Sequence, residues 1–96
     1  MLGSGTMYEN IVTVPNIDHR AKIAYSPQGN LTLVYQSRTD VSVLQKQGDI
    51  WKTIFEHKVS ISDRNAGSTH GPSFVNKNGS LYALYHDDTK VYLKKL

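Results

Sequence analysis

Gly29 to Val43 reads GNLTLVYQSRTDVSV, and Gly79 to Leu93 reads GSLYALYHDDTKVYL. The second stretch is a gapless copy of the first. Gly29 matches Gly79, Leu31 matches Leu81, Tyr35 matches Tyr85, Thr39 matches Thr89 and Val41 matches Val91. Each copy is a turn glycine, an apolar strand, a polar turn and a second apolar strand. Self-similarity at about fifty residues is the mark of a propeller, a solenoid or an array.

Working outward, strand and turn signals alternate along the whole chain. Tyr8–Val14 is a β-branched run closed by Pro15, and Lys22–Tyr25 is a second strand. Ser26–Asn30 carries the proline and glycine of a tight turn. Leu31–Gln36, Val41–Gln45 and Trp51–His57 follow, the last two joined by a turn at Gln47–Asp49. Ser60–Gly71 is the longest polar stretch and reads as a loop. The pattern then restarts with strands at Pro72–Val75, Leu81–His86 and Lys90–Leu96. Nothing has a helical period, so an all-β chain of about eight short strands is expected.

Side chains alternate between the faces of a strand. Leu31, Leu33 and Tyr35 share one face, and Thr32 and Val34 the other. In the copy, Leu81, Ala83 and Tyr85 share a face, and Tyr82 and Leu84 its opposite. Strands that are apolar on both sides need a layer on each side, as propeller blades have. Tyr8–Val14 also matches Trp51–His57, each with an aromatic residue, two polar positions, isoleucine and a further apolar residue. The expected architecture is therefore two four-stranded antiparallel blades over residues 8–96, with the internal repeat at about 19–46 and 70–96. The N-terminal strand completes the last blade, and residues 1–7 form a flexible lead-in. Two blades do not close a ring, which takes four to eight. Self-association of three chains into a six-bladed ring is the expectation, with a fragment of a longer propeller and a monomeric sandwich as alternatives.

Arg20 to Arg38, RAKIAYSPQGNLTLVYQSR, resembles a blade of the sialidase-like, or BNR-repeat, propellers. Those blades open with an arginine and an apolar strand, pass a glycine turn, and end a second strand near another arginine. In the second copy Gly71 and Asp88 stand where the first has Arg20 and Arg38. The family's Asp-box, Ser-x-Asp-x-Gly-x-Thr-Trp, has its counterpart in Leu44–Trp51, which keeps Gly48 and Trp51 but has Leu44 and Lys46 in place of Ser and Asp. The resemblance implies a propeller and, by analogy, carbohydrate recognition.

The sialidase chemistry itself needs three arginines around a carboxylate, a tyrosine nucleophile with a glutamate partner, and an acidic proton donor. Here Arg64 lies in the long loop, and Glu9 and Glu56, the only glutamates, fall on outer-strand positions. A two-carboxylate hydrolase would have to draw on Asp18, Asp87 or Asp88, which read as turn formers. Catalysis is therefore not expected. His19, His57, His70 and His86 show no compact metal-ligand spacing, and no cofactor is expected. Tyr35 and Tyr85 read as core. The residues assigned to a ligand are Arg20, Arg38, Trp51, His70, His86 and Asp88, with a glycan as ligand.

Eleven basic against eight acidic side chains give a net charge of +3, scattered rather than clustered, so nucleic acid is not an expected partner. No apolar run approaches the roughly 20 residues of a membrane span. Zero cysteines exclude disulfides and thiolate metal sites. The opening MLGSGTMYEN lacks the pattern of a signal peptide, and composition assigns no compartment.

Overall fold

A computed structural model describes residues 8–13, 20–62 and 71–96. Among the described residues seven strands form: β1 (Arg20–Tyr25), β2 (Leu31–Gln36), β3 (Asp40–Gln47), β4 (Ile50–Lys58), β5 (Ser73–Lys77), β6 (Ser80–His86) and β7 (Val91–Lys95). They make two antiparallel sheets, ordered β1-β2-β3-β4 and β5-β6-β7. The lead-in at 1–7 and the loop core at 63–70 lie outside the described residues.

Local chemistry sets the hairpins. Ser26 and Asn30 close the β1–β2 turn, with Gly29 at φ 90° donating its amide to the Ser26 carbonyl. Asn78 at φ 51° and Gly79 at φ 77° form the corresponding turn between β5 and β6. That left-handed pair matches the twist of a hairpin and favours asparagine and glycine. The β2–β3 and β6–β7 turns use one device twice. Ser37 Oγ accepts the amides of Thr39 and Asp40, and the Asp87 carboxylate accepts those of Thr89 and Lys90. The repeat read from sequence is thus a repeat of hydrogen bonding as well.

The two sheets stack. The face of the first sheet bearing Val34, Val41 and Val43 is fully buried against Ala83 and Tyr85 of the second, with Phe55, Phe74 and Tyr92 at the margin. Thr32, like Gln36, is a buried polar residue of this face. Its hydroxyl donates to the Asn30 carbonyl and accepts from Gln45, so its burial carries no unmet bond. Gln36 donates to the His86 carbonyl and ties the sheets together. β1 and β5 lie in contact, and a Cβ on Gly71 would come within 2.9 Å of Arg20 Cβ. Gly71 holds φ 76° as well, so glycine is required at this close approach.

The stacking joins unlike faces of like units. The inner face of the first sheet carries Thr32, Val34 and Gln36, and that of the second carries Leu81, Ala83 and Tyr85. By the repeat, these correspond to Tyr82, Leu84 and His86 and to Leu31, Leu33 and Tyr35, which look outward. On the outer face of the second sheet, Val75, Val91 and Leu93 are 37%, 75% and 53% exposed. On the outer face of the first, Ile23 and Tyr25 are 51% and 68% exposed.

One expectation is corrected. Residues 8–13 form no strand, and the second sheet has three strands rather than four. Lys46 donates to the Glu9 carboxylate at 3.2 Å and the Trp51 indole N–H donates to it at 2.7 Å. Lys46 and Trp51 are cross-strand partners, on the outer face with Leu44. The segment therefore lies along the first sheet, away from β7. In the single chain that position leaves the segment apart from the matching edge of the second sheet.

Candidate functional site: a rim cleft beside an aromatic cluster

Strand direction gathers the site at one end of both sheets. Arg20 pairs with Gln36, Gln36 with Val41, and Val41 with His57, so these four stand at one level. The Gln36–His86 bond brings the β6 end to the same level. Arg20, Arg38, His86 and Asp88, four of the six residues assigned to a ligand from sequence, therefore share one rim. His70 lies outside the described residues. Trp51 stands at the opposite end, at the mouth of the β3–β4 hairpin, and holds Glu9.

The rim holds a cleft of about 280 Å³ lined by Tyr35, Asp40, Ser42, Glu56, His57 and Lys58. Tyr35 pairs with Ser42 and Ser42 with Glu56, which sets all three on the outer face of the first sheet. Asp40 and Lys58 are likewise paired, 3.8 Å apart. Asp40 also accepts from the hydroxyls of Ser37 and Thr39. It is committed to its turn, which leaves Glu56 as the exposed carboxylate of the cleft. Chemically, the cleft offers an aromatic ring, hydroxyls, carboxylates and an ammonium within one small volume. Such a lining suits a ligand rich in hydroxyl groups. Among the described residues no group of three or more His, Asp or Glu side chains is placed to hold a metal.

Beneath the cleft, between the sheets, lies a cluster that sequence reading missed. His57 Nδ1 and the Tyr85 hydroxyl are 2.6 Å apart. Tyr85 stacks on Tyr92 with centroids 5.0 Å apart, and His57 meets Tyr92 edge-on at 5.0 Å. Burial pushes the Tyr85 hydroxyl above its usual pKa, so it keeps its proton at neutral pH. Lys94 sits 5.2 Å over the Phe55 ring, a cation–π contact. Tyr85 is core, as its phase with Leu81 implied, and only 3% exposed. Its repeat mate Tyr35 is half-buried and belongs to the cleft instead.

The carboxylates of the β6–β7 turn accept backbone amides. Asp88 accepts the Ser62 amide at 3.0 Å and pins the chain leaving β4 to the β6–β7 turn. Asp87 accepts the Thr89 and Lys90 amides and the Tyr92 hydroxyl, the last at 2.7 Å. Those bonds, the Thr89 amide foremost and then Tyr92, lower its pKa from 3.8 to about 2. A depressed carboxylate pKa contributes stability above the unfolded value, and that stability is lost as pH falls through the folded one. Asp87→Asn is therefore expected to melt below the wild type at pH 7, with the difference closing between 3.8 and about 2. Thermal melts across that range check it.

No family model matches the chain, and neither a curated protein nor a solved structure matches it.

Proposed function

We propose that the chain is a non-enzymatic binding module, a pair of propeller blades that assembles into an oligomeric ring and binds a glycan at the rim cleft. The observation that supports it most is the cleft itself, where Tyr35, Ser42, Glu56 and Lys58 converge on one opening. An aromatic face covers the apolar side of a sugar ring, while carboxylate and hydroxyl groups bond its hydroxyls. Assembly sets a neighbour's second sheet over the Tyr35 and Ser42 side of the cleft, so the site becomes a cleft between successive blades at the rim, and weak sites repeated around a ring gain through multivalency. The sialidase-like character of Arg20–Arg38 belongs to the same proposal, as does a threefold ring closing six blades.

The support for binding over hydrolysis is the state of the acids. Asp40 is held by Ser37, Thr39 and Lys58, and Asp87 by its own turn. Neither is left as the partner of Glu56 that a two-carboxylate mechanism requires. A second reading, a purely structural assembly component, is favoured by the apolar outer faces alone.

Glycan-array binding of the purified protein is the test. Binding to a subset of glycans is expected, falling about tenfold or more in Glu56→Ala, the size of a lost charged hydrogen bond. Glu56 is exposed, so the melting temperature stays unchanged. Silence across a broad panel leaves the structural reading in its place.

A further inference from the structure

The second sheet ends at an unpaired edge. β7 is bonded to β6 on one side and to no described strand on the other. Its counterpart in the first sheet, β3, carries β4 in that place. The only other copy of the β4 pattern is the N-terminal segment, Tyr8-Glu9-Asn10-Ile11-Val12-Thr13 against Trp51-Lys52-Thr53-Ile54-Phe55-Glu56, and it is in no sheet. We propose that residues 8–13 form an exchange strand, which leaves its own first sheet on assembly and adds to β7 of a second copy. The proposal rests on the ring-assembly reading and names the contact that closes it.

The register follows from the first sheet. There Val43 pairs with Phe55, Gln45 with Lys52 and Lys46 with Trp51, and Ile54 is skipped at a bulge. Transferred through the repeat, Leu93 faces Val12, Lys95 faces Glu9, Leu96 faces Tyr8, and Ile11 takes the bulge. Leu93 and Leu96 each meet an apolar residue. The one charged pair, Lys95 with Glu9, is of opposite sign, and opposite charges across strands are favourable. Leu93 is 53% exposed in the single chain and Tyr8 83%. Both gain cover.

Why a second copy, and not the segment's own chain? Glu9 sits on the outer face of the first sheet, the side turned away from its own β7. Ile11 and Val12 are half-buried, and Leu33 and Leu44 on that face are buried. The segment thus lies over the face that the repeat assigns to a neighbour's second sheet. A neighbour docking there displaces it and offers the free β7 edge at the same moment.

The reach is sufficient. A segment on the outer edge of the neighbouring sheet is three strand spacings and one sheet spacing from Arg20, about 18 Å. Six residues separate Thr13 from Arg20, an extended span of about 24 Å.

The chain has no cysteine, so Val12→Cys with Leu93→Cys reports the contact cleanly. Mild oxidation is expected to give disulfide-linked multimers on a non-reducing gel. A link within one chain, or no link in a protein whose mass is that of an oligomer, overturns the exchange and leaves the assembly standing. A single-chain mass overturns the assembly reading and the exchange with it. Charge reversal gives a second readout without cysteines. Lys95→Glu is expected to weaken association about two- to fivefold in the wild-type chain and to strengthen it in the Glu9→Lys chain. Rescue by Lys95→Glu is specific to the exchanged pair, because the Lys46 and Trp51 contacts of Glu9 stay broken in the double variant. Absence of rescue overturns the register.

Discussion

Tyr85→Ala is expected to destabilise the chain by about 3–5 kcal/mol, the cost of deleting a large buried aromatic side chain. Tyr85 is 3% exposed and belongs to the inter-sheet core. It pairs with Tyr92, stacks on it, meets Phe55 at 6.1 Å and bonds His57. Its loss opens a cavity and strands the His57 Nδ1. Small domains hold only about 5–15 kcal/mol in total, so a fall in melting temperature of about 15 °C or more follows. Tyr85→Phe keeps the ring and removes only the hydroxyl, costing about 1 kcal/mol. Differential scanning calorimetry of both variants separates packing from hydrogen bonding. Equal losses in the two would show that the hydroxyl, and not the ring, holds the sheets.

The second large effect is on association. Val91→Asp combined with Leu93→Asp places two carboxylates on the outer face of the second sheet, where the wild type exposes apolar side chains. In the isolated chain both positions face solvent, so stability changes by about 0.5 kcal/mol or less per site. In an assembled ring the same carboxylates are buried without partners, and burial of an unpaired charge is prohibitive. The variant is expected to sediment as a single folded chain. Gln28→Asp, in an exposed turn at the other rim, is the control for charge alone and leaves the mass unchanged. Analytical ultracentrifugation reads both. An associated double variant would mean that this face is not the contact.

Much of the fold was legible because its signals are local. Leu31–Gln36 is a strand from alternation and from the glycine turn before it, and the structure gives the same bounds. β3 and β4 run slightly longer than read, since Asp40 and Lys58 extend the ladder past the apolar run. The apolar character of both faces calls for a layer on each side, and in the single chain each sheet has a layer on one side. Residues 8–13 form no strand although their pattern is that of β4, because the pattern reports the ability to pair and not the edge that is taken. Their own chain places Glu9 on Lys46 and Trp51 instead.

The site was only half legible. Arg20, Arg38, His86 and Asp88 were singled out for their types, and strand direction alone brings them to one rim. The cleft residues Ser42, Glu56 and Lys58 carry no motif, and they meet only through the cross-strand register of β3 and β4. The His57–Tyr85 bond spans 28 positions. Finding it requires knowing that the inner face of the first sheet carries His57 and that of the second carries Tyr85. The repeat contains that rule, since a stack of identical units must set the odd face of one against the even face of the next. Tyr35 and Tyr85 illustrate the consequence. They are equivalent in sequence, yet one lines an open cleft and the other a closed core, because only one has a neighbouring sheet in the same chain.

That asymmetry is what self-association would remove. Heterologous stacking of this kind either closes a ring or runs on as a filament, and six blades fall within the range at which propellers close. Light scattering on the wild-type protein measures it most directly. A single species of about three times the 10.8 kDa chain mass is the expected result. A monodisperse 10.8 kDa particle at the highest soluble concentration would contradict it, for then the exposed outer faces are content in water.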